Sequence, residues 1–190
     1  MAIIMKNIET IGNKIYFVGD ITYRSCFGLN SVLLIKEKEI MGKTKNQYDP
    51  IVLYITSNGG SVHAAFTVVD TIQNLKVPVH TVVLGYVASA GTLISMAGSK
   101  RFITKNSYML VHELSSGIVG NLSDLKNGYD DSKKIMDHII RYYDSVTKIG
   151  KEKIVSILKN SSLSAEECVE LKLVDEILTG LSDMNKFIKR

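Results

Sequence analysis

Apolar and polar positions along this chain follow two periods, one of strands and one of helices. Lys14-Ile15-Tyr16-Phe17-Val18 reads as a strand, and Ile51-Val52-Leu53-Tyr54-Ile55-Thr56 is a β-branched apolar run typical of a strand buried on both faces. That run stops at Ser57-Asn58-Gly59-Gly60, a tight turn. Between the two strands, Cys26 to Ile40 places Phe27, Leu29, Val32, Leu33 and Ile35 on roughly one helical face. Val62, Ala65, Phe66, Val69 and Ile72 recur every three or four residues, which predicts an amphipathic helix over Ser61 to Lys76 with Ser61 near its N-terminus. The unit then repeats: Val79 to Val87 as a strand, Ser89 to Ala97 as a helix, Arg101 to Thr104 and Tyr108 to His112 as short strands. Strands and helices alternating at these lengths suit right-handed βαβ crossovers and a mostly parallel sheet, an α/β domain.

The later part of the chain has another character. Leu122, Leu125, Tyr129, Ser132, Met136, Ile139, Tyr143 and Val146 form a seam along one long helix, and Lys126, Asp130, Lys133 and Lys134 make its other faces polar. Such a seam packs either on its own domain or on a second copy. Ile154 to Leu158 and Ser164 to Leu171 are expected as short helices, Val174 to Leu178 closes the domain, and Leu181 to Arg190 is a tail that frays or docks. The polar stretch Gly42 to Pro50 is a loop and not a boundary, so residues 1–190 read as one domain.

Composition narrows the classes. Hydrophobic residues at 45% and charged residues at 22% exclude a disordered chain, and a net charge of +4 with its lysines scattered among acids argues against nucleic acid. The apolar window Val77 to Gly98 is interrupted by His80, glycines, serines and threonines, so it is expected as strand, turn and helix with no membrane span. Met1 to Lys6 meets polar residues too early for a secretion signal. Cys26 and Cys168 lack ligand spacing, which fits reduced thiols in a cytoplasm and no metal site.

Two strand-to-helix turns carry candidate chemistry, because the first N–H groups of a helix lack intrahelical partners and favour developing negative charge. One is Ser57-Asn58-Gly59-Gly60-Ser61, whose glycines allow close approach of a ligand. The other is Val87-Ala88-Ser89-Ala90-Gly91, where small residues flank a serine as a strand breaks into a helix. Each also fits an ordinary turn or helix cap. A serine nucleophile needs a base; of the four histidines, His63, His80 and His138 suit surface or packing, while His112 ends an apolar strand where α/β sheets form their ligand crevice.

Joined in this order, Tyr54 to Val62, Gly85 to Gly91, Ala97 to Arg101, Asn106 to His112 and Leu163 through Leu178 resemble the proteolytic subunit of the Clp protease, the ClpP family, from about Ile11 to Thr179. The resemblance implies a crotonase-like fold of βαβ units, with a head at about 11–112 and 160–179 and a protruding long-helix handle at about 113–159. It implies a cytoplasmic serine endopeptidase built as two stacked heptameric rings joined through the long helix. By position, Ser89 would be the nucleophile, His112 the general base, and Gly60 and Ala90 the oxyanion donors. A peptide substrate would add as a strand between Gly60 to Val62 and the segment Ser115, Ser116 and Gly117. No metal or cofactor is implied for this chain; ATP would be used by a separate AAA+ unfoldase.

Three departures stand out. The family's His-Gln-Pro is His112-Glu113-Leu114 here, only about ten residues precede the first strand pattern, and Asn160 stands nearest the place of the family's acid. They keep open a weak or regulatory subunit that co-assembles with an active ClpP relative. A crotonase-type acyl-CoA hydratase or isomerase, and a capsid maturation peptidase, share parts of the same pattern.

Overall fold

The structure is a computed structural model that describes residues 4–43, 48–159 and 161–180. Among these residues one sheet holds β1 (Ile4–Met5), β2 (Ile8–Ile11), β3 (Lys14–Val18), β4 (Ile51–Ser57), β5 (Val79–Ala88), β6 (Lys100–Thr104), β7 (Tyr108–Val111), β8 (Ser161–Leu163) and β9 (Glu176–Leu178). Around it lie α1 (Tyr23–Met41), α2 (Val62–Asn74), α3 (Ala90–Ser95), α4 (Leu122–Thr147), α5 (Lys151–Ile157) and α6 (Ala165–Glu170). The neighbours β3, β4, β5, β6 and β9 run parallel, as the βαβ alternation predicts, while β1 to β3 form an antiparallel meander.

Strand β5 divides its pairing. His80 to Val83 pair with β6 and Tyr86 to Ala88 pair with β7, with Gly85 between them at φ +75°. Only a residue without a Cβ takes that conformation cheaply. Its N–H is held by the Ser107 hydroxyl at 2.7 Å. On the other side the register to β4 shifts between Ile55 and Ser57, an irregularity that bends a strand and re-aims the residues beyond it. Antiparallel pairing of β8 with β7 completes this second leaf.

Strand β4 is buried on both faces, as its apolar run predicts. Leu53 and Ile55 enter the main core with Leu29, Leu33, Ala65 and Val69 from α1 and α2, while Val52 and Tyr54 join Val82, Phe102 and Leu178 on the opposite face. There Tyr16 stacks on Tyr54 with ring centroids 4.5 Å apart. His80 packs edge-on against Phe102, and burial, helped by Lys100, lowers its pKa to about 4, so it is a neutral packing group.

Two sequence expectations are corrected. Helix α1 starts at Tyr23, where Thr22 and Ser25 form a capping box, and its inner face is Cys26, Leu29, Val32, Leu33, Lys36 and Ile40. Phe27 and Ile35 are 75% and 44% exposed, because each lies one residue, about 100° of helix, from an inward position. Strands β1, β2 and β8 have no counterpart among the expected elements. The remaining boundaries of the later helices move by a few residues.

The seam of α4 divides along its length. Leu122 and Tyr129 are 84% and 62% exposed, whereas Ile139, Tyr142, Tyr143 and Thr147 are buried in the domain's own core. The own-domain reading therefore holds for the C-terminal half of the helix, and the N-terminal half of the seam is exposed. Ile139→Ala should lower unfolding free energy by about 2–5 kcal/mol, as for other buried aliphatic truncations, while Leu122→Ala should stay within about 0.5 kcal/mol. Urea denaturation of the two variants measures both.

Candidate active site

Ser89 sits between β5 and α3 with φ +53° and ψ −127°. A non-glycine residue in such a region costs about 1–3 kcal/mol, and it persists only where neighbours enforce it. The Ser89 N–H donates to Leu110 O at 2.9 Å, which extends the β5–β7 pairing by one residue. Its carbonyl accepts from the Thr92 N–H at 3.0 Å and from the Thr92 hydroxyl at 2.5 Å. The Ser89 hydroxyl makes no capping bond to α3, so the ordinary helix-cap explanation of this serine does not apply.

The Gly59-Gly60 turn is pressed against this elbow. A Cβ on Gly59 would lie 2.5 Å from Ser89 Cβ, and one on Gly60 would lie 2.3 Å from the Ile21 carbonyl oxygen. Gly60 forms a parallel bridge with Ile21, in which Ile21 N–H donates to Gly59 O and Ser61 N–H to Ile21 O, each at 2.8 Å. That alternation leaves the Gly60 N–H outside the bridge. The Ala90 N–H belongs to the first turn of α3 and has no intrahelical partner.

His112 follows β7 by one residue. Because Ala88 pairs with Leu110, the ends of β5 and β7 lie side by side, and Ser89 and His112 line the same cavity of about 190 Å³. Gly60 and Ala90 line it too, with Val62, Leu93, Leu114, Ile139 and Tyr143 as apolar wall and Glu113 and Ser115 completing it. The His112 Nδ1 lies 2.6 Å from the backbone carbonyl oxygen of Glu113. A carbonyl only accepts, so Nδ1 carries the hydrogen, and in the neutral ring Nε2 then holds the lone pair a general base needs.

Of the residues expected to bind substrate, Val62 and Ser115 line this cavity, while Ser116 and Gly117 are exposed and do not. Asn160 lies outside the described residues. His112 also borders a second cavity, about 620 Å³, together with Leu158 and Lys159. Of the other histidines, His63 is exposed and His138 packs at a tilt against Phe66, ring centroids 4.6 Å apart. Sequence reasoning missed the contribution of Leu93, Leu114, Ile139 and Tyr143 to the wall; the last two stand in the α4 seam, whose periodicity is readable but not what it faces.

Among the described residues no group of three or more His, Cys, Asp and Glu side chains is placed to hold a metal, and no helix is long and apolar enough to cross a membrane. Cys26 and Cys168 are buried free thiols, and burial raises them to about 11 and about 12, which keeps them protonated and unreactive.

Known proteins share the fold and much of the sequence. A ClpP1 mutant from Listeria monocytogenes, carrying an asparagine-to-aspartate change, superposes with a TM-score of 0.79 at 25% identity, covering 90% of this chain and 94% of the other. The chain is 30% identical over 138 residues to the ATP-dependent Clp protease proteolytic subunit of Deinococcus radiodurans, 71% of this chain and 68% of that one. It is 29% identical over 184 residues to the ATP-dependent Clp protease proteolytic subunit 2 of Treponema pallidum, 95% of this chain and 88% of that one. Residues 28–180 match the Clp protease family model, and with more than half of its length matched, the chain belongs to the Clp protease family.

Proposed function

We propose that this chain is a serine endopeptidase subunit of a compartmentalised Clp-type protease, cleaving peptides and unfolded polypeptides through an acyl-enzyme on Ser89. The observation that carries the reading is the shared cavity: a strained, uncapped serine, a histidine with its Nε2 free to accept, and two backbone N–H groups meet in one place. Ser89 Oγ attacks the scissile carbonyl carbon as its proton passes to His112 Nε2. The Gly60 and Ala90 N–H groups stabilise the oxyanion, and His112 then gives its proton to the leaving amine. Water, activated by the same imidazole, releases the acyl group. The apolar wall suits an aliphatic or aromatic side chain beside the cut, and the backbone near Gly60 to Val62 and Ser115 suits an extended peptide. A hydratase reading leaves Ser89 and its strained turn without a role.

One observation favours reduced catalytic power. The acceptor on His112 Nδ1 is a neutral carbonyl, which orients the ring but stabilises an imidazolium less than a carboxylate does. In the sequence Asn160 stands nearest the place of the family's acid, and it is the candidate third member. Assembly as two stacked heptameric rings, alone or with another ClpP, is supported by the exposed half of the α4 seam. A separate AAA+ unfoldase would use the ATP, and the buried thiols fit a cytoplasmic setting.

Purified enzyme should cleave a fluorogenic peptide and label with a fluorophosphonate, and Ser89→Ala should abolish both; cleavage retained by Ser89→Ala would show that another group is the nucleophile. Asn160→Asp should raise kcat by about tenfold or more, and Asn160→Ala should not. If both match the parent across pH, the Glu113 carbonyl alone orients the ring. Replacing Leu122, Leu125 and Tyr129 together by Ser should leave the melting temperature intact yet shift analytical ultracentrifugation to smaller particles. An unchanged profile removes this half of α4 from the interface.

A further inference from the structure

Thr92 lies one turn into α3 and is completely buried. Its hydroxyl donates to the Ser89 carbonyl, which already has the Thr92 N–H to close the turn, so the side chain adds a second bond to one oxygen. Having committed its single hydrogen there, Thr92 Oγ1 can only accept from its other partner, the Tyr143 hydroxyl. Tyr143 comes from α4, 51 residues away along the chain. Burial pushes its hydroxyl up to about 12, so it remains a donor throughout the working pH range. The end of α4 is fixed against α3 by a further bond, from the Tyr142 hydroxyl to Leu93 O at 3.1 Å.

The Ser89 carbonyl and the Ala90 N–H are the two ends of one planar peptide unit, pointing in opposite directions. Whatever holds the carbonyl therefore aims the N–H. We propose that Thr92 and Tyr143 are positioning residues for the oxyanion hole, a relay from the Tyr143 hydroxyl through the Thr92 hydroxyl to the Ser89 carbonyl that fixes the Ala90 N–H toward the reacting carbonyl. This rests on the reading of Ser89 as nucleophile. Because the Ala90 N–H acts on charge that exists only in the transition state, loosening it lowers kcat and leaves substrate binding unchanged.

The test measures peptide cleavage and the rate of fluorophosphonate labelling in the assembled enzyme. Thr92→Val, close in shape but without the hydroxyl, should lower kcat and the labelling rate about tenfold with KM within about twofold, and Thr92→Ser should restore both. Tyr143→Phe should lower kcat about threefold, again without a change in KM. The proposal is overturned if Thr92→Val keeps the parent's kcat, if Thr92→Ser is as slow as Thr92→Val, or if KM rises while kcat holds. Should Thr92→Val fail to fold, Tyr143→Phe decides, and an unchanged kcat in it overturns the relay. Labelling that survives in Ser89→Ala overturns the nucleophile assignment instead, an outcome distinct from a Thr92→Val enzyme that labels at the parent's rate while Ser89→Ala does not.

Discussion

Strand β5 has to satisfy two neighbours, β6 along its first half and β7 along its second, and a straight strand could not do both. The conformation of Gly85, held by the Ser107 hydroxyl, lies where β5 changes partner from β6 to β7. Three parts of the site depend on that change of partner. Ser89 is delivered past the end of β5, His112 arrives on the strand that the second half of β5 meets, and the matching register shift in β4 brings the Gly59-Gly60 turn against Ser89. No one of these three has to be positioned independently. In an open α/β sheet the ligand crevice lies at the strand ends, and here the divided pairing selects which ends.

The cost falls on Ser89, whose positive φ is unfavourable by about 1–3 kcal/mol. Three hydrogen bonds to its own backbone, at a net of about 0.5–1.5 kcal/mol each, are enough to offset it. Close packing leaves little room for the elbow to relax. Ser57, buried under it, accepts the Gly59 N–H at 3.1 Å, and a Cβ on Gly91 would already approach Ser57 Cβ at 3.2 Å. The turn is thus held by backbone and side-chain contacts from β4, β7 and α3 together, which is why small residues fill Ala88 to Gly91.

The legible part of the sequence is whatever local periodicity records. The doubly buried run of β4, the helical spacing of α2 and the strand-turn-helix of β5 and α3 each bury a face that their own residues define, and Ser89 and His112 can be placed at strand ends from them. Strand β8 is not legible, because Ser161-Ser162-Leu163 has no pattern of its own and is a strand only by pairing with β7. The inner face of α1 is misjudged at Phe27 and Ile35, since several adjacent apolar residues leave the helix phase open and only packing chooses it. The acceptor on His112 is a main-chain carbonyl, which every residue carries, so no side chain announces it. Thr92 and Tyr143 look like a helix residue and a seam residue until the fold brings their hydroxyls together.

Helix α4 explains why one periodic seam supports two readings. Its 26 residues make a rod of about 39 Å at 1.5 Å per residue, and its buried residues, from Ile139 to Thr147, all lie in its C-terminal part. The buried end contributes Ile139 and Tyr143 to the cavity wall and anchors to α3 through Tyr142, while the exposed end presents Leu122 and Tyr129 outward. An α-helix transmits tilt along its length, because each turn is hydrogen-bonded to the next. Surface that faces outward at one end is therefore mechanically continuous with the side chains beside Ser89 at the other, and α4 cannot be treated as an appendage to the site.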